Sequence, residues 1–147
     1  MTGIEGVFRE HRLGLLRLAF LLSGAHEASE DAVQSAFASA QVHWDRIDDP
    51  LAYLRRSVIN QVKDGQRRAF RWRSKPVPPA PEAILPPDVD ETWTVVSGLP
   101  RHQRAVLVLH YYADLPLVQI ADLVGRPPAT VRSDHRRALD TLRKALS

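Results

Sequence analysis

The sequence predicts an all-α protein made of two small helical domains joined by a proline-rich linker. Three observations predict it. Apolar residues recur at spacings of three and four along most of the chain, no segment sustains strand-like alternation, and six of the eleven prolines fall between Pro76 and Pro87. Each proline lacks a backbone donor and clashes with the preceding turn, so residues 75–90 (KPVPPAPEAILPPDVD) cannot hold a helix. An extended, semi-rigid linker is the expectation, and a ligand for an SH3-type domain is the alternative use of such a stretch. The predicted domains are 1–74 and 91–147, and neither shows an internal repeat.

The first domain reads as three helices. Thr2 with Glu5 is a capping-box signal, Phe8, Leu15, Leu18 and Leu22 form an apolar series, and Gly24 suits a helix end. A second helix carries Glu27, Glu30 and Asp31 in its early turns, where acids oppose the positive dipole end. Its stripe is Val33, Phe37, Ala40 and Trp44. A loop, 45–49, leads to Pro50, a favourable first helical residue. The third helix places Leu51, Leu54, Val58 and Val62 on one face and Arg56, Asn60, Lys63, Arg67 and Arg71 on the other. One side can be buried while the other meets an anion.

The second domain reads as four shorter helices. The first covers 90–97. Pro100 opens the next, through Val106, Leu109 and Tyr112, and Pro116 opens a third, through Ile120 and Leu123 to Gly125. Pro127-Pro128 opens the last, with Val131, Ala138, Leu142 and Ala145 expected inward.

Composition narrows the function classes. With 44% hydrophobic residues the chain can build a core, and without cysteine it has no disulfide or thiolate metal site. That absence is compatible with a reducing cytoplasm. No apolar run approaches the ~18 residues of a membrane span, and Glu5 and Glu10 are out of place in a secretory signal. The net charge of +3 conceals strong segregation: 63–75 holds six bases against one acid, 126–144 holds six against two, and Glu82, Asp88, Asp90 and Glu91 lie between with no base. Two basic blocks around an acidic spacer suit either two contacts with a polyanion or two solvated helix faces.

The helices expected at 117–125 and 128–145 are joined by about three residues. Ala121 is small where they would cross, Gly125 tolerates positive φ, and Val131 would pack the second onto the first. This is helix-turn-helix spacing, with Thr130, Arg132, Ser133, Arg136 and Arg137 facing outward. Arginine can read guanine bidentately and hydroxyls can hold phosphate. A hairpin used only for packing is the alternative. His26, Glu30 and His43 form no compact ligand set, nor do His102, His110 and His135. No paired-carboxylate, HExxH or phosphate-loop motif is present, so no metal, cofactor or enzymatic activity is expected.

The residues resemble a family, the extracytoplasmic-function (ECF) sigma factors of bacterial RNA polymerase. The resemblance rests on HRLGLLRLAFLLSG, SEDAVQSAF and WDRIDDPLAYLRRSVINQVKD in the first half, and on LPRHQRAVLVLHYYADLPLVQIADLVGRPPATVRSDHRRALDTLR in the second. It covers residues 4–74 and 91–146. The resemblance implies that the first half is sigma region 2, docking on the polymerase clamp helices through Asp31, Gln34 and the position of Ser35, where the family often has glutamate. The loop with Trp44, Asp45 and Arg46 would meet the −10 element together with Tyr53, Arg56, Asn60, Lys63, Asp64, Arg67 and Arg68. Trp44 and Tyr53 could equally serve packing.

The second half would be region 4, meeting the polymerase flap and the −35 element. Arg132, Ser133 and Arg136 are the expected base or near-base contacts, Arg104 and Arg126 the expected phosphate contacts, with Thr130 and Arg137 beside them. Asp134 stands where many relatives have a base, and would repel phosphate unless paired with Arg137. His135 falls on the apolar stripe, as a neutral histidine at the core edge or as a pH switch. The linker, 16 residues at roughly 3 Å each, would span some ~50 Å inside polymerase. An anti-sigma factor would be a further partner. Two rivals stay open: a free helix-turn-helix regulator, and a sigma-like chain that titrates an anti-sigma factor.

Overall fold

The computed structural model describes residues 3–71 and 90–146, with the side chains of 66–71 and 90–91 outside that description. Its elements are α1 (Ile4–Ser23), α2 (His26–Val42), α3 (Pro50–Arg71), α4 (Asp90–Ser97), α5 (Arg101–Leu107), α6 (Leu117–Val124) and α7 (Pro128–Leu146). A 3-10 turn, Trp44–Arg46, precedes α3, and a π-helical turn, Val108–Tyr112, extends α5. The described residues are all-helical and form two clusters, α1–α3 and α4–α7. The expected linker falls almost wholly outside the described residues, except that Asp90 already begins α4.

In the first cluster, Gly3 stands at the start of α1 with no side-chain cap, and Thr2 lies outside the described residues. Gly24 closes α1 as expected: its φ is 73° and its N–H donates to Phe20 O at 2.7 Å. The single apolar stripe expected on α1 is corrected. Leu15, Leu16, Leu18, Ala19, Phe20, Leu21 and Leu22 are all buried, so the C-terminal half is covered on nearly every side by α2 and α3. Phe8, expected inward, is 41% exposed and meets Phe37 edge-on at 4.8 Å.

Ala32, Ala36 and Ala40 repeat every fourth residue on the buried face of α2, beside Val33 and Phe37. Such small residues let neighbouring helices approach closely. The helix ends at Val42, so Trp44 leaves the expected stripe and sits half-buried in the 3-10 turn. Ser29 is fully buried at the α1–α2 junction and satisfies its hydroxyl by donating to Ala25 O at 2.6 Å. Asp49 caps α3, its Oδ1 accepting from Ala52 N–H at 3.2 Å, and Pro50 is the first helical residue. Leu54, Val58, Ile59 and Val62 fill the core from α3.

The second cluster is built on α7, which packs against α4, α5 and α6. Pro100 and Pro116 stand immediately before α5 and α6, and Pro128 opens α7. The helix expected to run regularly through Tyr112 instead widens at Val108, where Ala113 N–H reaches back five residues to Val108 O at 3.2 Å. Asp114 then takes a positive φ of 57°, a conformation aspartate adopts more readily than bulkier residues. Val106, Leu109, Ile120, Val131 and Ala138 are essentially sealed from solvent. Leu142 is only half-buried and Ala145 is exposed, contrary to expectation. The reason is length: α7 has 19 residues, against eight in each of α4 and α6.

Candidate nucleic-acid interface

The α6–α7 unit is fixed by its turn. Gly125 has φ 71°, and the N–H groups of Gly125 and Arg126 both donate to Ala121 O, at 3.0 and 3.1 Å. This closure satisfies the end of α6 and sets the direction in which α7 leaves. Val131 N–H returns to Pro127 O at 3.1 Å, and the Val131 side chain is fully buried against the cluster. With Val131 and Ala138 inward, Arg132, Arg136 and Arg137 are exposed, while Thr130 and Ser133 are half-buried beside them. The arrangement presents three guanidinium groups and two hydroxyls along one helix, donors suited to phosphates and guanine edges.

Two side chains of the region are placed otherwise than the sequence suggests. Asp134 is buried at 6% exposure and pairs with Arg126, Nη2 to Oδ2 3.2 Å, rather than with Arg137. Arg104 is half-buried on α5, and burial followed by Arg101 lowers its pKa from the usual guanidinium value. His135 is half-buried, as a histidine on the edge of the stripe should be. Its Nε2 meets Tyr111 Oη at 2.9 Å, and its ring lies 5.1 Å from that of His110. Burial and the neighbouring His110 push its pKa below 6.5, which favours the neutral form.

In the first cluster, Asp31, Gln34 and Ser35 are exposed on α2. Gln34 lines a groove of about 820 Å³ with Phe8, Leu13 and Phe37. On α3, Arg56, Asn60 and Asp64 are exposed and Lys63 is half-buried; the side chains of Arg67 and Arg68 lie outside the described residues. Asp45 and Arg46 are exposed in the 3-10 turn next to half-buried Trp44. Tyr53 is tied to α2 through a 2.7 Å hydrogen bond between its Oη and Ser39 Oγ, a contact that positions α3. Arg12 Nη2 similarly reaches Glu30 Oε2 at 3.1 Å. Neither cross-helix contact is visible in helical periodicity, because each links residues more than ten positions apart.

Among the described residues, no group of three or more histidine or acidic side chains could hold a metal ion, and no helix is long and apolar enough to cross a membrane. Residues 7–73 match the family Sigma-70 region 2, and residues 90–142 match Sigma-70, region 4. The RNA polymerase sigma-E factor of Streptomyces coelicolor is 31% identical over 97% of this chain and 85% of its own length. The extracytoplasmic function sigma factor SigJ of Mycobacterium tuberculosis has a similar structure, with TM-score 0.73 and 25% identity over 94% of this chain and 53% of its own. The chain belongs to the ECF sigma factors of RNA polymerase.

The sigma factor carries region 2 on α1–α3 and region 4 on α4–α7. It directs RNA polymerase to promoters as an initiation factor, not an enzyme. A second similar structure, with TM-score 0.70 and 24% identity over 97% of both chains, is the sigma factor RpoE in complex with the anti-sigma factor NepR from Bartonella quintana.

Proposed function

We propose that this sigma factor, acting in the cytoplasm, holds core polymerase through the exposed Asp31–Gln34–Ser35 face of α2 and reads its promoter at two places. In this reading Arg132, Ser133 and Arg136 on α7 meet −35 bases, with Thr130, Arg137 and Arg104 beside them. The segment from Trp44 to Arg46, with Tyr53, Arg56, Asn60, Lys63 and Asp64, works on the −10 element. A pocket beside the 3-10 turn would stabilise an extruded base by stacking and edge hydrogen bonds, offsetting a few kcal/mol of unstacking. The observation that carries the proposal is the face of α7: three exposed arginines on a helix whose opposite side is sealed by Val131 and Ala138.

The test is to add the purified chain to sigma-free core polymerase and map transcripts from sheared genomic DNA. Discrete starts that share upstream −35 and −10 sequences are expected. Core binding without discrete starts would favour a titrating role, and sequence-specific duplex binding by the free chain without core would favour a free regulator. The complex of RpoE with NepR motivates an anti-sigma factor as a further partner of this chain.

Replacing Asp31 and Gln34 together with alanine is expected to weaken binding to core polymerase while leaving the melting temperature unchanged, because both side chains are exposed and off the apolar stripe. Fluorescence anisotropy of labelled protein against core enzyme measures it. Unchanged affinity would remove α2 from the polymerase interface.

A further inference from the structure

We infer that Asp134 is a positioning residue for promoter recognition: its carboxylate takes up the Arg126 guanidinium and so withdraws that cation from the set that contacts phosphate. The inference rests on the reading of α7 as the −35 helix. Three observations support it.

Asp134 occupies a core position. It lies three residues after Val131 and four before Ala138, both fully buried, and is itself 6% exposed. A carboxylate in that setting is costly unless a cation answers it. The cation is Arg126, in the turn between α6 and α7, whose backbone N–H is fixed to Ala121 O and whose side chain reaches Asp134 at 3.2 Å. The pair is Coulombic rather than a well-aligned hydrogen bond, since Arg126 Nε and Asp134 Oδ2 have no hydrogen-bond partner among the described residues.

The second observation is the surrounding charge. His102, near the start of α5, feels the same pair: Arg126 and Arg101 add to burial in lowering its pKa, and Asp134 opposes them. Asp134 is therefore an acid set among bases, and its charge is spent inside the domain. The third is contrast. Arg132, Arg136 and Arg137 on the same helix are exposed, whereas Arg126 is committed to a buried carboxylate. A basic count taken from the sequence includes Arg126 in the polyanion-binding set; the fold takes it out.

The test uses full-length protein in holoenzyme with core polymerase, on the promoter found by start-site mapping, with affinity measured across a salt series. Each phosphate neutralised contributes about −0.9 to the slope of log affinity against log salt. Asp134→Asn is expected to free Arg126 and steepen the slope by about 0.9. The double variant Asp134→Asn with Arg126→Gln is expected to return the native slope. The double variant also keeps the question answerable if Asp134→Asn fails to fold, because it leaves no buried charge unpaired.

A double variant with a slope shallower than native by about 0.9 would show that Arg126 contacts phosphate in the native protein, and would overturn the inference. A folded Asp134→Asn variant with the native slope would overturn it equally. A native holoenzyme that forms no promoter complex would remove the functional reading itself and the inference with it. A native complex with either of the contrary slopes removes the inference alone.

Discussion

Replacing Phe20 with alanine is expected to destabilise the α1–α3 cluster by about 3–5 kcal/mol. Phe20 is 1% exposed and is among the largest fully buried side chains, set in the part of α1 that is covered nearly all round. Truncation removes a ring from water-free surroundings and leaves a cavity that two packed helices cannot easily collapse. Small domains hold only about 5–15 kcal/mol in total, so the loss is a large fraction of what is present. Amide hydrogen exchange measures it by segment. Protection should fall over residues 4–71 and persist over 101–146. Equal loss in both would show that the clusters unfold as one unit, and full protection in both would mean that Phe20 packs less tightly than its burial indicates.

Replacing Arg136 with alanine should leave the fold intact, since its side chain is exposed while Ala138 carries the packing. Binding should fall by about 1–3 kcal/mol, and preference should relax at one −35 position. Transcription from a promoter library randomised over the −35 element, initiated with the variant holoenzyme, gives both quantities. A loss spread evenly over all sequences would make Arg136 a phosphate contact. No loss at all would move base reading to Arg132 and Ser133.

What could be read from the sequence was local. Gly24 and Gly125 close helices because the left-handed conformation they adopt is written in a single residue. Pro50, Pro100, Pro116 and Pro128 mark helix starts for the same reason. The exposure of Arg132 and Arg136 followed from the three-and-four spacing of Val131 and Ala138. What could not be read depended on where helices end against one another. Phe8 and Ala145 follow their stripes in sequence, yet both are exposed, at opposite ends of the chain. Val108 to Tyr112 looks regular in sequence, but the backbone widens there to five-residue hydrogen bonding. Sequence spacing points to Arg137, one turn away on the same helix, as the partner of Asp134, but the preceding turn supplies it, at Arg126. Periodicity describes one helix at a time and is silent about a turn folding back on it.

The prolines at the helix starts have an effect beyond marking boundaries. A ring that already holds φ near the helical value narrows the range of conformations open to the unfolded chain, and each compatible proline contributes about 0.4–1 kcal/mol in this way. That share of the stability resides in states the folded protein does not occupy. No dissolved ion, competing anion or bound strand can screen it. The proposed attraction of α7 for phosphate would weaken as salt rises, whereas the stability supplied by Pro50, Pro100, Pro116 and Pro128 would not. An increase in ionic strength is therefore expected to weaken binding to DNA while leaving this share of the helices' stability in place.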